Sequence, residues 1–328
     1  MNITAGVIGY RNHSLKIIKL LLKNKNIKEI VIFCYKKKNI KNLESNKKEK
    51  KIIYTHKLED LTKASFFFIT SPTSTHLKYI KKLISSNKPI FCEKPGFASL
   101  SEYNYLRKLS YSSKKKIFIN YNLIHSKLFY LINRELIKNS KDRLINISVY
   151  SLIGIAFIKK FKQNWRFTSK NILERISGNL GVHYVNFCIN LFGNINKILF
   201  HEFAIANKKK IDTCNINLNF ANKASANIFL SYAGPMTDRM EFYFSNKILI
   251  YEDNKLYKVG PRNVFDKMGL FTRPSRKLIY KFKKDLSQDS LESSVNFFIK
   301  EAINNKNFKE IYFDYAINTG RLFLKNNF

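Results

Sequence analysis

The sequence predicts an α/β protein in two parts. Residues 1–121 read as a doubly wound parallel sheet, and residues 122–328 as an α+β domain with a mostly antiparallel open sheet. Three observations carry this. Up to residue 121, short apolar runs alternate with helix-spaced segments, and strands separated by helices make a parallel sheet covered on both faces. Beyond it, short strands follow one another through tight polar turns, Asn222-Lys223, Asn246-Lys247 and Asp253-Asn254, as antiparallel neighbours do. At 328 residues the chain is long enough for two cores.

In order, residues 3–9 read as a buried strand ending in glycine, and Leu15, Ile17, Ile18 and Leu20–Leu22 as the packed side of a helix over 14–23. Strands are expected over 30–35, 52–54 and 64–70, the last built on Phe66-Phe67-Phe68-Ile69. A helix over 74–86, a strand over 89–92, a helix over 98–111 and a strand over 116–121 complete the first part. The second part opens with a helix over 126–138 and a strand over 144–152. An irregular stretch holding Trp165-Arg166 leads to a helix over 179–192, stopped by Gly193. Strands follow over 197–204, 213–220, 224–232, 240–245, 247–252 and 255–259, and helices over 287–303 and 314–325 close the chain. The basic stretch Arg273, Arg276, Lys277, Lys281, Lys283, Lys284 reads as a solvated helix face.

Composition narrows the function. With 45% hydrophobic residues the chain is globular. No apolar run approaches the roughly 20 residues that span a bilayer, and the N-terminus does not read as a secretory signal. A cytoplasmic protein is expected. Cys34, Cys92, Cys188 and Cys214 form no CxxC pair and suit reduced core thiols, so no disulfide or metal site is expected. The net charge of +36 would attract polyanions. The lysines are nevertheless spread through nearly every segment, and Lys, Asn, Ile, Phe and Tyr are abundant together, all with codons made only of A and T. With no nucleic-acid-binding motif present, no specific nucleic-acid partner is expected.

Three motifs point to chemistry. Ser71-Pro72-Thr73-Ser74-Thr75-His76 and Glu93-Lys94-Pro95 both begin at carboxyl ends of predicted strands, where parallel sheets bind ligands. His183 follows in Gly178-Asn179-Leu180-Gly181-Val182-His183. Removing a hydride from an alcohol carbon leaves a proton that histidine can accept near neutral pH. A lysine supplies positive charge where alkoxide character develops. The plainer readings are a polar stripe (Asn179, His183, Asn186, Asn190) on an amphipathic helix and an ordinary surface lysine.

With these residues in place, the chain resembles the Gfo/Idh/MocA family, the relatives of glucose–fructose oxidoreductase and inositol dehydrogenase. The resemblance rests on the Gly-containing first turn, Ser71–His76, Glu93–Pro95, the Trp165-Arg166 pair, Gly178–His183 and the terminal strands and helices. It implies a Rossmann domain for NAD or NADP over 1–121. It also implies a domain over 122–328 that carries substrate and oligomer contacts, with a dimer or tetramer as the assembly. Lys94 and His183 would be catalytic, with Asn179 beside them. Gly9, Tyr10, Arg11, Asn12, Lys36, Ser71, Pro72, Thr73, His76, Glu93 and Lys94 would border the cofactor. Lys94, Trp165, Arg166, Asn179 and His183 would face a sugar, cyclitol or nucleotide-linked sugar.

The chain departs from the family at several of these positions. The GxGxxG fingerprint brings backbone against a pyrophosphate. Here Gly9-Tyr10-Arg11-Asn12-His13-Ser14 keeps one glycine of three. The acids that the family often places four residues before and three after the histidine are Asn179 and Asn186. A non-catalytic relative that binds a ligand or serves in assembly is the alternative these changes raise. After the second strand, Tyr35-Lys36-Lys37-Lys38 stands where an acid would favour NAD. Lysines there suit the 2′-phosphate of NADP and tip the balance that way, though a solvated basic run would look the same.

Overall fold

The computed structural model describes residues 3–34, 51–138, 141–161, 165–168, 172–206, 210–261, 265–304 and 306–325. Lys36 and its neighbouring lysines lie outside the described residues. The chain divides into two compact units, Met1–Tyr121 with Glu292–Arg321, and Asn122–Leu291 with Leu322–Phe328. The first boundary falls at residues 121/122. Residues 292–321, assigned from the sequence to the second domain, belong to the first unit.

The first unit is built on six parallel strands: β1 (Ile3–Ile8), β2 (Ile27–Phe33), β3 (Lys51–Thr55), β4 (Phe66–Ile69), β5 (Ile90–Glu93) and β6 (Ile117–Asn120). Their order is β3-β2-β1-β4-β5-β6, so the sheet reverses direction of growth between β1 and β4. The central strands are apolar without alternation because helices cover both faces, and all four residues of β4 are buried. Helices α1 (Asn12–Lys23), α2 (His76–Leu83), α3 (Leu100–Arg107) and α4 (Tyr111–Lys114) connect them. The expected single helix over 98–111 is two, because the Ser110 side chain accepts from Ser113 N and caps a new turn. Helix α1 starts earlier than its apolar spacing suggested, since Arg11 is an extended N-cap and polar Asn12 and His13 form the first turn. Phe298, from the returning segment, packs on Phe66, Phe68, Phe91 and Phe118 with ring centroids 5.0 to 5.9 Å apart.

In the second unit, α5 (Lys127–Lys138) precedes β7 (Leu144–Leu152), and α6 (Trp165–Thr168) and α7 (Val182–Phe192) follow. The remaining strands are β8 (Ile195–Phe203), β9 (Thr213–Phe220), β10 (Ser225–Ser231), β11 (Thr237–Phe244), β12 (Ile248–Glu252), β13 (Lys255–Val259) and β14 (Arg276–Lys281). They form one sheet of order β14-β13-β12-β11-β7-β10-β9-β8, antiparallel except at the β7–β10 pair. Ile147, Ile216, Ile228 and Phe242 bury one face. Helix α7 packs there, with Phe187 against Phe242 at 6.0 Å and Phe192 against Phe220 at 4.9 Å. The opposite face carries the polar row Asn217, Asn227, Ser148 and Glu241 across four strands.

The basic stretch read as a helix face contains β14 instead, an edge strand whose six residues are all exposed. The last two helices are α8 (Leu286–Ile303) and α9 (Glu310–Lys325), the latter a turn longer at its start than its apolar pattern indicated.

Candidate functional site

At the carboxyl ends of β1, β4 and β5 the first unit gathers most of its candidate residues. Gly9 leaves β1 with φ +115, a region side chains rarely adopt. A Cβ there would sit 3.0 Å from Ser71 N and from Thr70 C and O. This glycine is therefore fixed by space and by backbone. Arg11, where the fingerprint has its second glycine, takes an ordinary extended backbone (φ −100, ψ 178) with its side chain exposed. Ser14, at the third glycine position, is buried, and its hydroxyl accepts from Thr70 Oγ1 at 2.8 Å, so a polar link replaces bare helix–strand contact. The first turn of α1 holds no acid, and no side chain caps its N-terminus. A helix N-terminus of this kind favours an anion. The residues present thus fit the pyrophosphate of a dinucleotide.

Glu93, at the end of β5, is buried and held from two sides. Asn120 Nδ2 donates to its Oε1 at 2.9 Å, and His13 Nε2 lies 2.9 Å from the same oxygen. Burial alone would raise its pKa. The charge and hydrogen bond of His13, the bond from Asn120 and the charge of Lys94 outweigh this and bring it down to about 2. Glu93 raises the pKa of His13 in return, against burial and the nearby Lys94 and Lys16. Lys94 follows directly, half-buried, and its peptide bond to Pro95 is cis.

His76, expected to line the cofactor side, is 1% exposed. Its Nδ1 lies 2.7 Å from Pro95 O and its Nε2 2.8 Å from Ser71 O. Its side chain therefore ties the Ser71 and Pro95 turns together, and it borders a ligand only through the backbone it holds. Burial lowers its pKa, against those two contacts. Ser71 Oγ bonds Thr75 Oγ1 at 2.7 Å, and Pro72 and Thr73 begin the turn between them.

In the second unit, Asn179 does not begin an α-helix. It lies in a π-helical turn, Ser177–Gly181, that runs into α7. Gly178 makes the turn possible, since a Cβ there would meet Ile172 O at 2.3 Å and Leu173 Cα at 2.4 Å. Asn179 Nδ2 donates to Tyr232 OH at 2.9 Å. Burial raises the Tyr232 pKa, while hydrogen bonds from Asn179 and Arg166 and the Arg166 charge lower it. Phe167 stacks edge-on to the same ring at 5.4 Å. Arg166, Asn179 and Tyr232 thus form one cluster. His183 is half-buried in the first turn of α7. Asn186 is 2% exposed, so the polar stripe inferred from spacing is partly interior.

Sequence reasoning missed His13, Asn120, Tyr232 and Asp238. Tyr184 OH donates to Asp238 Oδ1 at 3.2 Å. Burial raises that carboxyl to about 6, with the Tyr184 bond opposing and Asp285 assisting. No pattern flags these residues, because each partner lies far along the chain. Among the described residues no cluster of His, Cys, Asp and Glu could hold a metal ion, and no helix is long and apolar enough to cross a membrane.

Residues 3–121 match the family model described as "Oxidoreductase family, NAD-binding Rossmann fold". This is the Gfo/Idh/MocA model, and its match spans residues 3–121 of the 328. The whole chain shares its fold with solved oxidoreductases. An NAD-binding oxidoreductase from Klebsiella pneumoniae superposes with TM-score 0.79 at 13% identity, covering 98% of this chain and 95% of that one. A myo-inositol dehydrogenase from Corynebacterium glutamicum gives 0.76 at 15%, covering 99% and 96%. Biliverdin reductase from Synechocystis sp. PCC 6803, solved with biliverdin and NADP+, gives 0.73 at 10%, covering 98% of each chain. The similarity to the Gfo/Idh/MocA model therefore covers residues 3–121, and the chain as a whole is alike in fold.

One curated sequence also aligns, the beta″ subunit of DNA-directed RNA polymerase from Plasmodium falciparum (isolate 3D7), 29% identical over 209 residues. The alignment covers 64% of this chain and spans 20% of that protein's length. A chain this rich in Lys, Asn and Ile gathers identities with any similarly skewed sequence.

Proposed function

We propose that this chain is an NAD(P)-dependent oxidoreductase that moves a hydride to or from a CH–OH group of a sugar, cyclitol or nucleotide-linked sugar. One observation carries the reading: in a domain that matches this family's model, Lys94 stands at the carboxyl end of β5 beside a carboxylate fixed by His13 and Asn120. The bound cofactor supplies the hydride chemistry. Gly9, Tyr10, Arg11 and Asn12 would border its pyrophosphate, and Ser71, Pro72, Thr73 and Glu93 would line the cofactor side. Lys94 places positive charge at the substrate oxygen as alkoxide character develops. His183 exchanges the hydroxyl proton. Asn179, steadied by Tyr232, hydrogen-bonds the substrate, and Arg166 stands beside the same tyrosine.

NADP is slightly favoured over NAD on the strength of Lys36 and its neighbours. The polar open face of the second sheet suits a dimer or tetramer, and four buried thiols suit a reducing cytoplasm. A second reading, a non-catalytic relative, is favoured by Arg11, Ser14 and Asn179. Nicotinamide fluorescence on titration with NADH and NADPH tests both. Binding, followed by sugar-dependent turnover that falls by roughly a hundredfold or more in Lys94→Ala, supports the enzyme. Absence of binding at millimolar nucleotide rejects it.

A further inference from the structure

The Glu93 carboxylate is ionised and can only accept, so the proton between it and His13 sits on Nε2. The other ring nitrogen, Nδ1, has no hydrogen bond to any described residue, and 49% of the His13 side chain is open to solvent. His13 also stands in the first turn of α1, where the backbone favours an anion. The ring is thus anchored through one nitrogen, with the second left for a ligand at the helix terminus. The charged groups facing it are Glu93 and Lys94 at the end of β5 and Lys16 on its own helix, with Arg11 at the N-cap.

We propose that His13 is a proton-gated ligand of the dinucleotide phosphate, holding Glu93 through Nε2 and donating from Nδ1 to a phosphate oxygen when doubly protonated. This rests on the nucleotide-binding reading above. It also accounts for the lost second glycine: a side-chain donor stands in for close approach of the backbone. In the neutral ring Nδ1 has no hydrogen and repels a phosphate oxygen, so the proton and the nucleotide bind together. The attraction of Glu93 for the imidazolium supports the charged form near neutral pH.

Reciprocity then requires nucleotide affinity to fall as pH rises, and binding to take up protons. The test is titration of the full chain with NADH between about pH 6.5 and 8.5, a range in which its pyrophosphate does not titrate, with His13→Gln in parallel. Gln keeps an N–H for Glu93 and holds no titrating proton. The wild-type dissociation constant is expected to rise roughly fivefold across this range, the size of a half-exposed charge contact. His13→Gln should bind weakly throughout, with a flat profile and an unchanged circular dichroism spectrum. A flat wild-type profile, or an equal slope in His13→Gln, overturns the proposal alone. No NADH binding by wild type at any pH overturns it together with the nucleotide reading.

Discussion

Replacing Glu93 with Gln is the most direct probe of the first unit's carboxyl-end network. The substitution keeps the shape of a residue only 9% exposed and removes its charge. The folded carboxyl titrates at about 2 against an ordinary 4.5. At 1.36 kcal/mol per pKa unit, the network favours the ionised form by about 3 kcal/mol. His13's raised pKa describes the same contact from its partner and is not added. Half-exposure of the imidazole screens part of this, so Glu93→Gln is expected to lose about 1–3 kcal/mol at pH 7. Because the folded pKa of this acid is depressed, its contribution is complete above about 4.5 and disappears as pH falls towards 2. Urea unfolding at pH 7 and at successive steps below pH 5 reads both effects. The variant should begin less stable and lose less on acidification. Equal stability at pH 7, or parallel acid profiles, would refute the assignment of Glu93 as the anchor.

Other substitutions reach different elements. Gly9→Ala forces a side chain into positive φ and against Thr70 and Ser71, and should lower stability by about 1–3 kcal/mol in thermal unfolding while abolishing NADH binding. Phe298→Ala empties the centre of an aromatic cluster and should cost about 3–5 kcal/mol by denaturant unfolding. Asp238, raised to about 6 in the folded protein, opposes folding increasingly as pH rises from its ordinary 3.8 through 6. Asp238→Asn should therefore gain stability above pH 6, by about 1–3 kcal/mol, and none below pH 4, measured by melting temperature.

The sequence disclosed elements where burial is one-sided or complete and hid them where neither holds. Phe66–Ile69 reads as strand because both sheet faces are covered. β14 gives no period because all its side chains meet solvent, so Arg276–Lys281 resembled a basic helix face as easily as an edge strand. Lys94 and His183 stood out as candidates through the short segments around them. His13 was not, since its meaning lies in a carboxylate 2.9 Å away in space and remote in sequence. The π-helical turn was hidden because the clash that fixes Gly178 comes from backbone at Ile172 and Leu173, and no residue pattern announces such an approach.

The return of residues 292–321 to the first unit has a bearing on how this protein is made. A ribosome that has released only the first 121 residues has produced the parallel strands without the phenylalanine that seals them. Phe66, Phe68, Phe91 and Phe118 would then wait, uncovered, for a segment still to be synthesised. An excised fragment of residues 1–121 should accordingly aggregate, and supplying 292–321 as a separate peptide should restore its solubility.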